Sequence, residues 1–293
     1  MLAALIKTLR PKQWLKNGFL FVGLFFDRQI LDLAAVVRVG LGAVLFSLLA
    51  SAVYILNDLN DLEADRNHPK KSRRPLASGD LPTGFARGAV VVLLLVVFPL
   101  AYALSTTFFW FLAAYFALNL AYTLWFKHLP LIDVLILASF YVIRVAAGVS
   151  LIHVERFSPW LYLFTIFLAL YLGMGKRRAE LVMLAEDANS HRRVLDGYSI
   201  SFLDQLITIV LTLAILTYSL YTFSAPNLPS NNVMMLTIPF VIYGIFRYLY
   251  LVHIEDSGDA PEEILVSDRP LQLSIALWGV SIMAIFSLFP PGS

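Results

Sequence analysis

The sequence predicts an all-α, polytopic membrane protein: nine transmembrane helices in a single domain covering residues 1–293. Three observations predict it. Only 14% of the residues are charged and 59% are hydrophobic, where a soluble domain carries roughly 25% charged residues. The apolar residues lie in runs of about 20, the length that crosses a hydrocarbon core as a helix. No run alternates apolar and polar residues as a half-buried strand does. The chain has no cysteine, which excludes disulfides, thiolate catalysis and cysteine metal sites. The N-terminus is not expected to be a cleavable signal, because Pro11 and four cations precede the first long apolar run and no small-residue cleavage site follows.

In chain order the expected spans are 14–30, 34–56, 85–105, 107–126, 131–152, 158–175, 204–223, 234–253 and 271–289. The first has a short uninterrupted apolar core, Gly18–Phe26. The third and fourth are separated by a tight turn near Ser105–Thr107. An odd number of spans puts the termini on opposite faces. Of the 22 Lys and Arg, 17 fall on the side holding the N-terminus and the loops near 57–87, 127, 174–203 and 254–270. Three, Arg28, Arg38 and Arg156, fall on the other side, and Arg144 and Arg247 lie within spans. The positive-inside rule then orients the N-terminus to the cytoplasm and the C-terminus outside, in the cell membrane. The two longest loops, near 57–84 and 174–203, are charged and cytoplasmic, so chemistry is expected on that face.

The first of these loops opens with NDLNDLEADRNHPKKSRRP, Asn57 to Pro75. Asp58, Asp61 and Asp65 are spaced i, i+3, i+7 and would share an arc of about 60° on a helix leaving the second span. Like charges on one stripe repel, so something must compensate. One candidate is Mg²⁺, which takes one or two carboxylates together with waters and substrate phosphates. The other is the run Arg66, His68, Lys70, Lys71, Arg73 and Arg74, which would make the stripe a solvated acidic helix end. Pro69 and Pro75 argue for a loop there. Arg forks and Lys point charges suit phosphate oxygens, so acid and base together suit a polyanion held through a metal. His68 reads as a loop hydrogen-bonder.

Asn57-Asp58-x-x-Asp61-x-x-x-Asp65 after the second of nine spans resembles the first Asp-rich motif of the UbiA superfamily of intramembrane prenyltransferases, over nearly the whole chain. RPKQWLKN (Arg10–Asn17), DRNHPKKSRRPLASG (Asp65–Gly79), GKRRAEL (Gly175–Leu181) and SDRPL (Ser267–Leu271) resemble its phosphoribosyl-transferring branch. That resemblance implies a UbiA-like bundle and a 5-phosphoribosyl group moved from phosphoribosyl diphosphate (PRPP) to a polyprenyl phosphate of the decaprenyl type. By the same resemblance the product would feed an arabinan precursor of cell walls. It also implies Mg²⁺ on the donor diphosphate, held by Asp58, Asp61 and Asp65 as catalytic residues with Asn57 assisting. Arg66, Lys70, Lys71, Arg73, Arg74, Lys176 and Arg177 would share the phosphate oxygens. Ordinary members carry a second Asp-x-x-x-Asp motif at the sixth span. Here YLGMGKRRAEL retains one acid, Glu180, beside Lys176, Arg177 and Arg178. That departure suits a donor with an additional phosphate, though a positive-inside cluster would look the same.

Inside the spans, Asp133 marks the start of the fifth. Arg144 lies 11 residues further on, about 16 Å along a helix, too deep to snorkel easily. It needs an anionic or carbonyl partner, from protein or from a lipid phosphate. Arg247 is near enough to an end to snorkel. Asn119 and Tyr122, three apart, resemble cavity-lining positions of the family. Lys16 and Asn17 either cap the first span or touch donor phosphate. Two other functions compete. A prenyltransferase needs a second carboxylate pair, for which Glu180 and Asp187 are the candidates. A transporter or flippase needs repeats and paired intramembrane charges. Membrane lipids are the expected surroundings, no nucleic-acid partner is expected, and a homo-oligomer is left open.

Overall fold

The computed structural model describes residues 1–67, 71–154, 158–186, 193–225, 228–255 and 261–289, with the backbone alone for 184–186, 193, 194 and 261–263. Among the described residues every regular element is helical. In order these are α1 Leu2–Leu9, a 3-10 helix Pro11–Phe21, α2 Val22–Phe26, α3 Leu33–Asn60, α4 Leu62–Arg66, a 3-10 turn Lys71–Arg73 and α5 Pro75–Ser78. Then follow α6 Thr83–Leu104, α7 Thr106–Leu124, α8 Ile132–Val149, α9 Pro159–Glu186, α10 Ile200–Ser224, α11 Ile238–His253, α12 Pro261–Ser267 and α13 Arg269–Leu288, with three more 3-10 segments between α7 and α11. Eight helices among the described residues are long and apolar enough to cross a membrane, and they correspond to the second through ninth expected spans. The protein is therefore an integral membrane protein.

The first expected span differs in form. Its 11-residue 3-10 helix runs into the five-residue α2. At about 2.0 Å and 1.5 Å rise per residue the two cover about 30 Å, the thickness of a hydrocarbon core. So long a 3-10 run is uncommon, and tertiary contacts hold it. Trp14 Nε1 donates to Ser51 Oγ at 3.0 Å and Asn17 Nδ2 to Ser47 Oγ at 2.8 Å, both on α3. Gly148 on α8 allows close approach: a Cβ there would lie 2.0 Å from the Leu20 carbonyl oxygen.

Helix ends follow local chemistry. Asp32 caps α3 by accepting from the Ala34 and Ala35 N–H groups. Ser105 alone turns α6 into α7, with extended backbone and its Oγ accepting from Phe108 N, a cap of about 1 kcal/mol. Pro75 occupies the first turn of α5, where a missing N–H costs nothing. The expected loop at the basic run is thus partly helical. Gly79, at φ 87°, ends α5. α9 outruns its expected end by 11 residues, to Glu186. After Gly175 the residues KRRAELVMLAE are good helix formers with no proline to stop them. Lys176, Arg177, Arg178 and Glu180 therefore lie on a helix, not in a loop.

Cα proximity groups the chain into two compact units. The first comprises residues 1–127 and 143–154. At its centre α3 buries the small residues Ala50, Ser51 and Ala52 with Phe46 and Leu49, the composition that lets membrane helices approach closely. Val91, Val92 and Leu95 on α6 remain exposed, as suits a lipid-facing surface. Ala52 and Ile55 of α3, Leu76 of α5, Leu81, and Ala86 and Val90 of α6 form one cluster, with Leu5 and Leu9 of α1 packed on it. This cluster carries α1 and α5 to the end of α3. The second unit comprises residues 128–142 and 155–293. There α9 and α10 run antiparallel: Arg178 meets Asp204 near one end, and the Phe164 and Tyr218 rings lie 5.1 Å apart further along.

Candidate functional site

In the first unit the acidic stripe is split. α3 ends at Asn60, and Asp61, at φ −94° and ψ 11°, separates it from α4. The expected continuous stripe of three is corrected accordingly. Asp58 and Asp65 are both 3% exposed and converge, while the Asp61 side chain is 39% exposed and points to another partner. Arg74, set just before α5, bridges the convergent pair: its Nη1 donates to Asp58 Oδ1 at 3.1 Å and to Asp65 Oδ2 at 2.6 Å. Arg10 Nη2 donates to the same Asp58 oxygen at 2.5 Å, and its guanidinium lies 5.1 Å from the Tyr54 ring centroid. Arg10 stands in the left-handed region, φ 53°, at the joint between α1 and the 3-10 helix. Asp61 takes Lys127 Nζ at 3.0 Å and Asn60 Nδ2 at 2.9 Å. Burial alone would raise the Asp61 carboxyl, but the hydrogen bonds from Lys127 and Asn60 outweigh it and hold the group below the usual carboxylate range.

Asn57 Oδ1 accepts from Thr123 Oγ1 at 2.6 Å, which fixes its orientation from α7. Arg66, Lys71 and Arg73 are exposed. Lys70 and His68 lie outside the described residues, as does Asp187. Deeper in the unit Arg144 is 4% exposed; Nε donates to Asn17 Oδ1 at 2.9 Å and Nη2 to the Tyr115 hydroxyl at 3.1 Å. Its guanidinium lies 5.3 Å and 5.1 Å from the Phe46 and Tyr115 ring centroids. The expected carbonyl partner is thus the Asn17 amide, and cation–π attraction adds to it. Lys16 is half-buried beside Asn17. Asn119 donates to the Tyr115 carbonyl of its own helix at 2.7 Å, and Tyr122 is half-buried.

In the second unit Asp133 stands in the first turn of α8, as expected, but does more than mark the span's edge. It is fully buried; Oδ2 accepts from Arg177 Nε at 2.6 Å and Oδ1 from the Tyr198 hydroxyl at 2.6 Å. Arg177, 1% exposed, also pairs with Glu180 one turn along α9. The Tyr198 oxygen accepts in turn from Leu131 N at 2.5 Å, holding that residue at φ 67°. Burial first, then the bond to Asp133, raises the Tyr198 hydroxyl, so it stays a donor. Lys176 is half-buried, and Arg178 donates to Asp204 Oδ1 at 2.6 Å. Arg247 reaches toward the helix ends as expected, to Asp268, the cap of α13, at 2.8 Å and to Glu255, beyond the end of α11, at 3.4 Å.

Among the described residues no group of three or more His, Cys, Asp or Glu is placed to hold a metal ion. What the first unit offers is two buried carboxylates converging on one cationic centre. The pairings with Arg10, Lys127 and Asp133 were not singled out in the sequence. Arg10 carried a signal, since it opens RPKQWLKN, a stretch that resembles the family. Lys127 looked like any flanking cation, and Asp133 like any span boundary.

Comparison with known proteins gives the following. A model of the UbiA prenyltransferase family matches residues 18–266. The chain is 33% identical, over 98% of its own length and 87% of the relative's, to a decaprenyl-phosphate phosphoribosyltransferase of Corynebacterium glutamicum. It is 32% identical to that of Mycobacterium tuberculosis, over 97% and 94% of the two chains. A solved UbiA homologue from Archaeoglobus fulgidus bound to DMAPP and Mg²⁺ superposes with TM-score 0.72 at 19% identity, covering 97% and 99% of the two chains.

Proposed function

Because the chain belongs to the UbiA prenyltransferase family, we propose that it transfers the 5-phosphoribosyl group of PRPP to a polyprenyl phosphate, releasing diphosphate. The observation that carries the reading is the near-full-length likeness to two decaprenyl-phosphate phosphoribosyltransferases. The likeness to the DMAPP-bound homologue is under 20% in sequence and speaks for the fold. The N-terminus and the acidic and basic residues of 57–84 face the cytoplasm, where a soluble sugar phosphate is at hand, and the C-terminus lies outside. Residues 1–293 act as one membrane enzyme.

Asp58 and Asp65 would hold Mg²⁺, with Asn57 beside them, and Asp61 would join them only on leaving Lys127. The site fits such an ion: Asp58 and Asp65 already share one cationic centre, and Mg²⁺ takes one or two carboxylates with water and phosphate oxygens. When bound, it neutralises charge on the departing diphosphate. Arg74 and Arg10, each with a third of its side chain exposed, turn from the carboxylates to phosphate oxygens as the donor enters. The exposed Arg66, Lys71 and Arg73, with Lys70, supply further charge for the 5-phosphate. The buried Asn119 and Arg144 and the half-buried Tyr122 orient the acceptor, and the half-buried Lys16 touches donor phosphate. Asn17 orients Arg144.

Donor C1–O cleavage gives an oxocarbenium-like ribosyl centre, and fixed cations favour the leaving group. The acceptor is a phosphate monoester with a second pKa of about 6. It is already an anionic nucleophile at neutral pH, so no general base is needed. Membranes containing the protein, given radiolabelled PRPP and decaprenyl phosphate with Mg²⁺, should yield labelled lipid. Label appearing instead from an isoprenyl diphosphate on an aromatic acceptor would overturn the proposal.

A further inference from the structure

Each unit contains two carboxylates bridged by one guanidinium, Asp58 of the first taking Arg10 as well, but the two bridges differ. In the first, Arg74 spans Asp58 and Asp65 from the short segment before α5, with 31% of its side chain exposed. Its guanidinium is open to water. In the second, Arg177 spans Asp133 and Glu180 from inside α9, with 1% of its side chain exposed. Asp133 is itself fully buried and takes the Tyr198 hydroxyl as well. Displacing Arg177 would leave an uncompensated buried charge, which is strongly unfavourable. Both Asp133 oxygens are already bonded, to Arg177 and Tyr198, away from solvent, whereas a Mg²⁺-like ion gives up its waters reluctantly.

We propose that Arg177 is a resident cation, occupying Asp133 and Glu180 permanently, so that among the described residues divalent metal loads at the acidic residues of the first unit and not at this pair. The positive charge at Asp133 and Glu180 is covalently part of the chain and independent of metal concentration. This sharpens why one acid stands beside three cations in GKRRAEL. Arg177 is spent on Asp133 and Glu180 and Arg178 on Asp204. The inference rests on the proposed function only for the use of metal and diphosphate, which both donor readings share.

The test counts metal, not turnover. The purified full-length protein in lipid nanodiscs is dialysed against Mn²⁺ and inorganic diphosphate, and bound Mn²⁺ is counted by electron paramagnetic resonance. Wild type should saturate at one ion per chain. The double variant Asp58→Asn/Asp65→Asn should bind none. Arg177→Ala, if its melting curve shows it folded, should bind a second ion at Asp133 and Glu180. Two ions in the wild type, or one retained by the Asp58→Asn/Asp65→Asn variant, would overturn the proposal. So would a folded Arg177→Ala variant that still binds one. If Arg177→Ala does not fold, the first two counts decide. Failure of PRPP transfer with a count of one would instead reject the substrate assignment and leave the resident cation standing.

Discussion

The Asp133–Arg177 pair gives the sharpest stability prediction. Asp133 is fully buried and Arg177 1% exposed, at 2.6 Å. Removing one partner of such a pair costs about 3–5 kcal/mol, because the other charge is left buried. Asp133→Leu also strands the Tyr198 hydroxyl, and Arg177→Met strands Asp133. Removing both together removes both charges, and Glu180, with 27% of its side chain exposed, can hydrate. The double variant Asp133→Leu/Arg177→Met should therefore lie within about 1–2 kcal/mol of wild type, as apolar replacement of buried pairs often does. At about 2–4 °C per kcal/mol for a unit of this size, each single variant should melt roughly 10 °C lower. The double should recover most of that. The assay is thermal unfolding in one detergent, followed by intrinsic fluorescence, as a double-mutant cycle. A double variant that loses as much as the two singles combined would show that the charges do not interact, and the reasoning would fail.

Three further outcomes are expected. Asp58→Asn or Asp65→Asn should lower Mg²⁺-dependent transfer about 10²- to 10³-fold, the usual loss of one electrostatic stabiliser; retention of wild-type rates by both would remove them from the site. Asp61 is held below its ordinary pKa chiefly by Lys127, so that contact stabilises the fold fully above about pH 4 and the gain is lost as pH falls through the lowered value. Wild type should out-melt Lys127→Met at neutral pH, and the two melting curves should merge in acid; a gap that widens in acid contradicts the assignment. Gly148→Ala puts a Cβ 2.0 Å from a backbone oxygen and should destabilise by about 1–3 kcal/mol, seen as a lower melting point with unchanged membrane insertion.

The helices were legible because a transmembrane run is a local property. A stretch such as Leu33–Asn60 shows its length and apolarity in the residues themselves, and Asp32 and Ser105 announce helix starts in their own side chains. The first segment was less legible. Its 3-10 form depends on Ser47, Ser51 and Gly148, all distant in sequence. The continuation of α9 was readable in principle from its helix formers, but its charge made it look like a loop.

The candidate site divides along the same line. By itself the sequence determined that Asp58, Asp61 and Asp65 stand where a membrane span ends, beside a run of cations, and that adjacency is the ground for proposing an anionic, metal-associated group. Its motifs also carried the resemblance to the UbiA superfamily, which the family match over residues 18–266 bears out. Only the tertiary structure decided which charge meets which. Arg10 reaches Asp58 across 48 residues, Lys127 reaches Asp61 across 66, and Arg177 reaches Asp133 across 44. A buried charge must find a partner wherever the packing places one, and that partner's position in the chain is set by how helices cross, not by how residues follow one another.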